Sequence, residues 1–131
     1  DTWVLQEIIV GDVEYSVSLL VDRGRILDAI GMMYRADQEA YVWPKVGKVG
    51  KEPFAVPQEH LAVMEAFLSE YSGFCNFNYK VRRSGGLGIF EVNTRVGGDL
   101  ACDAPRQRAR AMFEKLDAMK FSRRALDGDL D

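Results

Sequence analysis

From Glu14 onward the chain alternates: Glu14, Ser16 and Ser18 take turns with Tyr15, Val17 and Leu19 before the apolar pair Leu20-Val21. A period of two sends successive side chains to opposite faces of an extended backbone, so this segment reads as a half-buried strand. A strand cannot satisfy its own backbone, and Asp22-Arg23-Gly24 supplies a tight turn into a neighbour running from Arg25 to Tyr34. Upstream, Trp3, Val4, Leu5, Ile8, Ile9 and Val10 form a β-rich run from Thr2 to Val10 that ends at Gly11-Asp12. It is expected as a further strand. The first 35 residues thus predict a three-stranded antiparallel meander with one face covered.

The rest of the chain predicts the cover. From Ala36 to Pro57, prolines and glycines lie among Lys45, Lys48 and Lys51 without a clean period, which predicts a loop with a short strand around Tyr41 to Trp43. Pro57 in a first helical turn, Glu59 behind it and a stripe of Leu61, Met64, Phe67 and Leu68 predict a helix ending near Tyr71, with Gly73 as its stop. Phe74 to Arg83 alternates again and is joined to Leu87 to Asn93 through Ser84-Gly85-Gly86, a hairpin turn. A last helix is expected from Pro105 to Lys120, with Ala109, Met112, Phe113 and Leu116 on its apolar stripe. The fold class that follows is α+β, an antiparallel β-sheet with helices packed on one face, over residues 1–121, followed by a polar tail at 122–131.

Composition narrows the chemistry. At 131 residues the chain is one domain, and 47% apolar residues provide a real core. A net charge of −3 offers no bulk attraction to phosphate backbones or anionic lipid, so neither nucleic acid nor membrane is an expected partner. Two cysteines, Cys75 and Cys102, and one histidine, His60, cannot make a four-ligand zinc site. With no 18-residue apolar run and no signal-peptide pattern, a soluble cytoplasmic chain is expected. Its opening at Asp1, directly in an apolar run, is what a piece cut from a larger protein would show.

Phe90 to Gly98 is the segment richest in chemistry. In a strand, Glu91 and Asn93 share a side and present oxygen donors to one point, a pattern suited to a hard cation such as Mg²⁺. Arg95 falls on that side if the strand continues, and its forked guanidinium suits a phosphate oxygen. Gly97-Gly98 lets the backbone approach closely. Across the hairpin, Asn76 and Asn78 repeat the i, i+2 spacing and fall near Glu91 and Asn93 in register. Such a concentration of polar groups asks for a ligand or a satisfied network.

The run Glu91-Val92-Asn93-Thr94-Arg95-Val96-Gly97-Gly98 is similar to the E-x-N-x-R-x-G-G segment of ATP-grasp ligases, and Leu5 to Val17 resembles their hinge strand with its G-x-x-E step at Gly11 to Glu14. The helix from Pro57, Gly73 and Asn76-Phe77-Asn78 follow in the family's order, so the resemblance covers about residues 2–100. It implies the carboxy-terminal subdomain of an ATP-grasp module, binding ATP with Mg²⁺ or Mn²⁺. Glu7, Ile8 and Ile9 would meet adenine and Glu14 the ribose. Glu91 would bridge the metal ions with Asn93 and Asn78 beside it, and Arg95 would touch the transferred phosphate. The implied reaction phosphorylates a small-molecule carboxylate and passes the acylphosphate to an amine or similar nucleophile. Tyr34-Arg35 resembles a strand end where members place a basic residue near the acceptor. Gly97-Gly98-Asp99 is similar to the branch near amino-acid ligases and carbamoyl phosphate synthetase. Thr94 stands where proline is common, and the family's glycine-rich phosphate loop and its lysines, which belong to an earlier lobe, have no counterpart in these residues. The resemblance therefore implies amino-terminal lobes as partners and an isolated chain without activity.

Plainer readings stand beside these. Glu91, Asn93 and Arg95 also suit a solvated sheet face, Glu7 and Glu14 ordinary strand positions, and Asn76 and Asn78 a structural network. The whole chain also suits a non-catalytic nucleotide-binding or protein-interaction module. Gly47-Lys48-Val49-Gly50-Lys51 lacks the P-loop pattern and is expected as a mobile loop. His60 is expected to be solvated or capping, Arg106, Arg108 and Arg110 to form a solvated face, and Cys75 and Cys102 to be small buried residues.

Overall fold

The alternating segment is β1 (Val13–Asp22), and it occupies the centre of the sheet. A computed structural model of the chain describes residue 3 and residues 5–41, 47–102 and 106–127. After β1 come β2 (Arg25–Ala36), β3 (Lys48–Phe54), α1 (Gln58–Glu65), β4 (Gly73–Val81), β5 (Leu87–Asn93), a short 3-10 helix at Gly98–Cys102 and α2 (Gln107–Asp127). The five strands form one antiparallel sheet in the order β3-β2-β1-β4-β5. The turn between β1 and β2 has two consecutive left-handed residues, Arg23 at φ 48° and Gly24 at φ 79°, the geometry that matches strand twist in a two-residue hairpin. Gly24 is required there, because a Cβ would lie 1.7 Å from the Ser69 carbonyl oxygen.

Alternation along β1 assigns the two faces. Its odd positions Val17, Leu19 and Val21 pack with Cys75, Phe77 and Tyr79 of β4 and with Met64 and Leu68 from α1 and the turn behind it. Its even positions begin polar at Glu14, Ser16 and Ser18 and end apolar at Leu20. That apolar end, with Ile30, is covered by Leu100 of the 3-10 helix and by Ala109 and Met112 of α2. The helices therefore lie on opposite faces of the sheet, not on one face as expected, because the even face has its own apolar patch to bury. Its polar end is covered at Ser16 and Ser18 by Gly97 and by Asp99 of the 3-10 helix, and neither α1 nor α2 packs on it.

Several expected elements change. Residues 5–10 join no ladder, although the Thr2 to Val10 run was expected to be a strand. Both edges of β1 are taken by β2 and β4, and the segment is held to the β4-β5 hairpin by side chains. The third strand of the sheet's early half comes instead from Lys48–Phe54, inside the region expected as a loop. It is an edge strand, and Lys48, Lys51, Glu52 and Pro53 are the residues edge strands carry, which hides the period-two signal. Tyr41 lies outside any strand, and the rest of the expected Tyr41 to Trp43 strand lies outside the described residues, as do Thr2, Val4, Pro105 and residues 128–131. α1 ends at Glu65, six residues before Tyr71, and Phe67 in the following turn is 63% exposed. The chain bends there through Ser69 at φ 40°, and Gly73 opens β4. α2 begins two residues after Pro105 and continues to Asp127, past the expected stop at Lys120 and into the 122–131 tail. Its stripe buries Ala109 and Met112, while Phe113 stays partly exposed against Phe74 at 5.0 Å between ring centres.

Candidate functional site

The polar end of the even face gathers side chains from three strands. Register pairs Ser16 with Asn78 and Ser18 with Asn76 across β1 and β4, and Asn78 with Glu91 and Asn76 with Asn93 across β4 and β5. Asn78 Nδ2 donates to Glu91 Oε2 at 2.7 Å. Glu91 is exposed and Asn78 and Asn93 are half-buried, so their oxygens are open to a ligand. Among the described residues no three His, Cys, Asp or Glu side chains gather into a metal cage. A hard cation here would draw on one carboxylate and two amide oxygens and keep water or phosphate at its other positions, as Mg²⁺ commonly does. The donor set fits that ion.

Beside this trio a cleft of about 660 Å³ runs under residues 6–9, with Glu7, Ile8, Ile9, Glu14, Lys80 and Glu91 in its walls. Glu7 is held by Arg82, whose Nη1 and Nη2 donate to its two carboxylate oxygens at 2.8 and 2.9 Å. That fork keeps the Glu7 carboxyl below the usual carboxylate range. Ile9 lies against Gly88, where a Cβ would come within 2.8 Å of its side chain, so glycine allows the segment to sit this low. On the floor, Glu14 Oε2 accepts from the Tyr41 hydroxyl at 2.9 Å. Lys80 is buried, donates to the Gly11 carbonyl at 2.7 Å and lies 3.9 Å from the Tyr41 ring centre. Burial pushes Lys80 below its ordinary value, partly offset by Glu14 and Asp12, and burial together with Glu14 pushes the Tyr41 hydroxyl well up.

Arg95 stands apart. β5 ends at Asn93, so the alternation that would carry Arg95 to the same side stops two residues short, and its exposed guanidinium donates to the neighbouring Val96 carbonyl at 3.3 Å. Arg35 is exposed and paired with Asp12 at 3.0 Å on the cleft's rim. Asn76 belongs to a buried network: it donates to Ser16 Oγ at 3.1 Å, to Ser18 Oγ at 3.3 Å and to Asp99 Oδ2 at 3.0 Å. His60 is half-buried, with Nδ1 at 3.0 Å from the Tyr79 hydroxyl, and burial lowers its basicity. It serves the core of the odd face. Cys75 is buried there too, its thiol pushed up to about 11.

Lys80, Tyr41 and Asp99 were missed in the sequence. Lys80 had a signal, since Asn76, Asn78 and Lys80 share one period-two face. Tyr41 and Asp99 had none, because their partners are 27 and up to 83 residues away. Compared with known protein families, with curated proteins and with solved structures, the chain finds no match in any of the three.

Proposed function

We propose that this open sheet face is the carboxy-terminal half of an ATP-grasp nucleotide site, in which ATP and Mg²⁺ (or Mn²⁺) activate a small-molecule carboxylate as an acylphosphate for attack by an amine. The observation that carries the reading is the convergence of Glu14, Asn78, Lys80, Glu91 and Asn93 on one end of the sheet's even face, beside a cleft roofed by residues 6–9. In this reading Glu91, Asn78 and Asn93 hold the metal, Glu14 accepts from ribose after releasing Tyr41, Ile8 and Ile9 meet the base, and the backbone near Glu7 bonds to it. Arg95 would reach the phosphoryl group by swinging its exposed side chain away from the Val96 carbonyl. Catalysis would come from positioning and from cationic neutralisation of phosphate charge. Amino-terminal lobes of the same protein would supply the opposite wall.

The test is a titration of the isotope-labelled chain with Mn²⁺ and with Mg-ADP, read by NMR. Mn²⁺ should broaden the amides of Asn78, Glu91 and Asn93 first, and Glu91→Gln should abolish that focus. Mg-ADP at millimolar concentration should shift residues 7–9 and Glu14. Broadening elsewhere, or no shift in the 7–9 segment, refutes the assignment. A nucleotide-binding or protein-interaction module without catalysis is the second reading, favoured by Trp3 and Leu5, which are 91% and 102% exposed. Under it, Glu91→Gln in the longest available protein leaves ATP turnover unchanged.

A further inference from the structure

Asp99 is one of two buried charged residues among those described, the other being Lys80. It follows the glycine pair by one residue, in the first turn of the 3-10 helix. Its carboxylate accepts from the Ser16 hydroxyl and Asn76 Nδ2 at one oxygen and from the Tyr34 hydroxyl, at 2.7 Å, at the other. Three donors from three different strands, β1, β4 and β2, thus converge on a side chain that belongs to none of them. The loop between Asn93 and Asp99 is drawn down with it. A Cβ on the buried Gly97 would lie 2.6 Å from both Asn76 Nδ2 and Ser18 Oγ, so the loop backbone lies directly on the network. The same carboxylate orients Tyr34, whose ring centre lies 4.5 Å from Lys48 Nζ and 5.6 Å from Lys51 Nζ.

We infer that Asp99 is a positioning residue: it clamps the 94–98 loop to the sheet and so fixes the position of Arg95 relative to Asn93 and Glu91. The loop has little else to hold it, since Thr94, Arg95 and Val96 are exposed and neither helix nor ladder includes residues 94–97. A carboxylate suits the task because it accepts several bonds at once, and each bond to a charged acceptor is stronger than a neutral one. An amide of the same shape holds the three groups only through weaker, neutral bonds. In Asp99→Asn one terminal atom becomes an NH₂: toward Asn76 it sets two buried donors against each other, and toward Tyr34 it turns that hydroxyl from donor to acceptor, while every bond that remains loses its charged acceptor. The inference rests on the nucleotide-site reading only for its consequence, the placing of Arg95. The clamp itself rests on the contacts above.

The experiment uses ¹⁵N relaxation and titration with the Mg²⁺ complex of a non-hydrolysable ATP analogue on wild type, Asp99→Asn and the reversed pair Asn76→Asp with Asp99→Asn. The reversed pair returns a carboxylate to accept from Ser16, Ser18 and the new amide at 99, whose oxygen still accepts from Tyr34. Wild-type order parameters for residues 94–98 are expected near ~0.85, falling below ~0.6 in Asp99→Asn and recovering in the double variant. Affinity for the Mg²⁺ complex of a non-hydrolysable ATP analogue, which keeps the γ-phosphate, should fall about tenfold in Asp99→Asn and return in the double variant, the size expected for one buried polar mismatch. Met64→Ala, in the opposite core, should lower stability without loosening the loop. Should Asp99→Asn fail to fold, Tyr34→Phe and Ser16→Ala each remove one donor and should loosen residues 94–98 in part. An unchanged loop in the variants overturns the clamp, and a loosened loop with unchanged nucleotide affinity overturns the positioning role. A wild type that ignores the ATP analogue defeats the nucleotide reading, while the order parameters still decide the clamp.

Discussion

Replacing Asn76 by Asp places two carboxylates side by side in a buried network, and the structure sets the cost. Asn76 Nδ2 stands 3.0 Å from Asp99 Oδ2. At an effective dielectric near 20, two like charges at that separation repel by about 5.5 kcal/mol. The pair can escape by taking up one proton, and holding a proton from the ordinary carboxylate range near pH 4 up to pH 7 costs about 1.4 kcal/mol per pH unit, or about 4 kcal/mol. The smaller value governs, so Asn76→Asp should lose about 4 kcal/mol at pH 7. In the variant the native state keeps a proton that the unfolded chain has released, so stability falls as pH rises. The penalty should therefore shrink to about 1 kcal/mol near pH 5. Urea unfolding followed by circular dichroism at pH 5, 6 and 7, with wild type measured in parallel, gives the slope directly. Asn76→Leu is the reference: it removes the donor without adding charge and should cost about 1–3 kcal/mol at every pH. A pH-independent Asn76→Asp penalty, or one no larger than that of Asn76→Leu at pH 7, would show that the two side chains are not in contact.

Two further outcomes check other parts of the fold. Gly24→Ala puts a Cβ against the Ser69 carbonyl at a left-handed residue whose N–H also donates to Tyr71 at 2.8 Å. Hairpin turn and helix exit must separate, so a loss of ~3 kcal/mol and a Tm drop on the order of 10 °C are expected, and wild-type melting would contradict the packing. His60 is held neutral by burial, below its ordinary 6.5. Its contribution to stability is complete above pH 6.5 and is lost as pH falls through the lowered folded value, because the unfolded chain takes the proton first. An NMR titration midpoint for its ring at or above 6.5 would contradict that assignment.

Legibility followed the reach of the interactions. β1, the Arg23-Gly24 turn and the β4-β5 hairpin were readable because period and turn residues act over a few positions, and the same local rule brought Glu91, Asn93 and Asn78 to one face. β3 was not readable, since an edge strand needs only one partner and carries polar residues that resemble a loop. The run 5–10 differs for another reason: it leads directly into β1, whose two edges are taken by β2 and β4, and side chains hold it over the β4-β5 hairpin without a ladder.

Alone, then, the sequence determined which positions of each strand share a side, and with that the donor set of the candidate site, because alternation is a property of the backbone itself. Which side each helix covers was decided only in three dimensions. α2 packs on the even face because Leu20 and Ile30, diagonal neighbours across β1 and β2, need Met112 and Leu100 to exclude water. The same holds for Asp99, whose donors lie 83, 65 and 23 residues away. No local pattern encodes a carboxylate that three strands must fold before it can be satisfied.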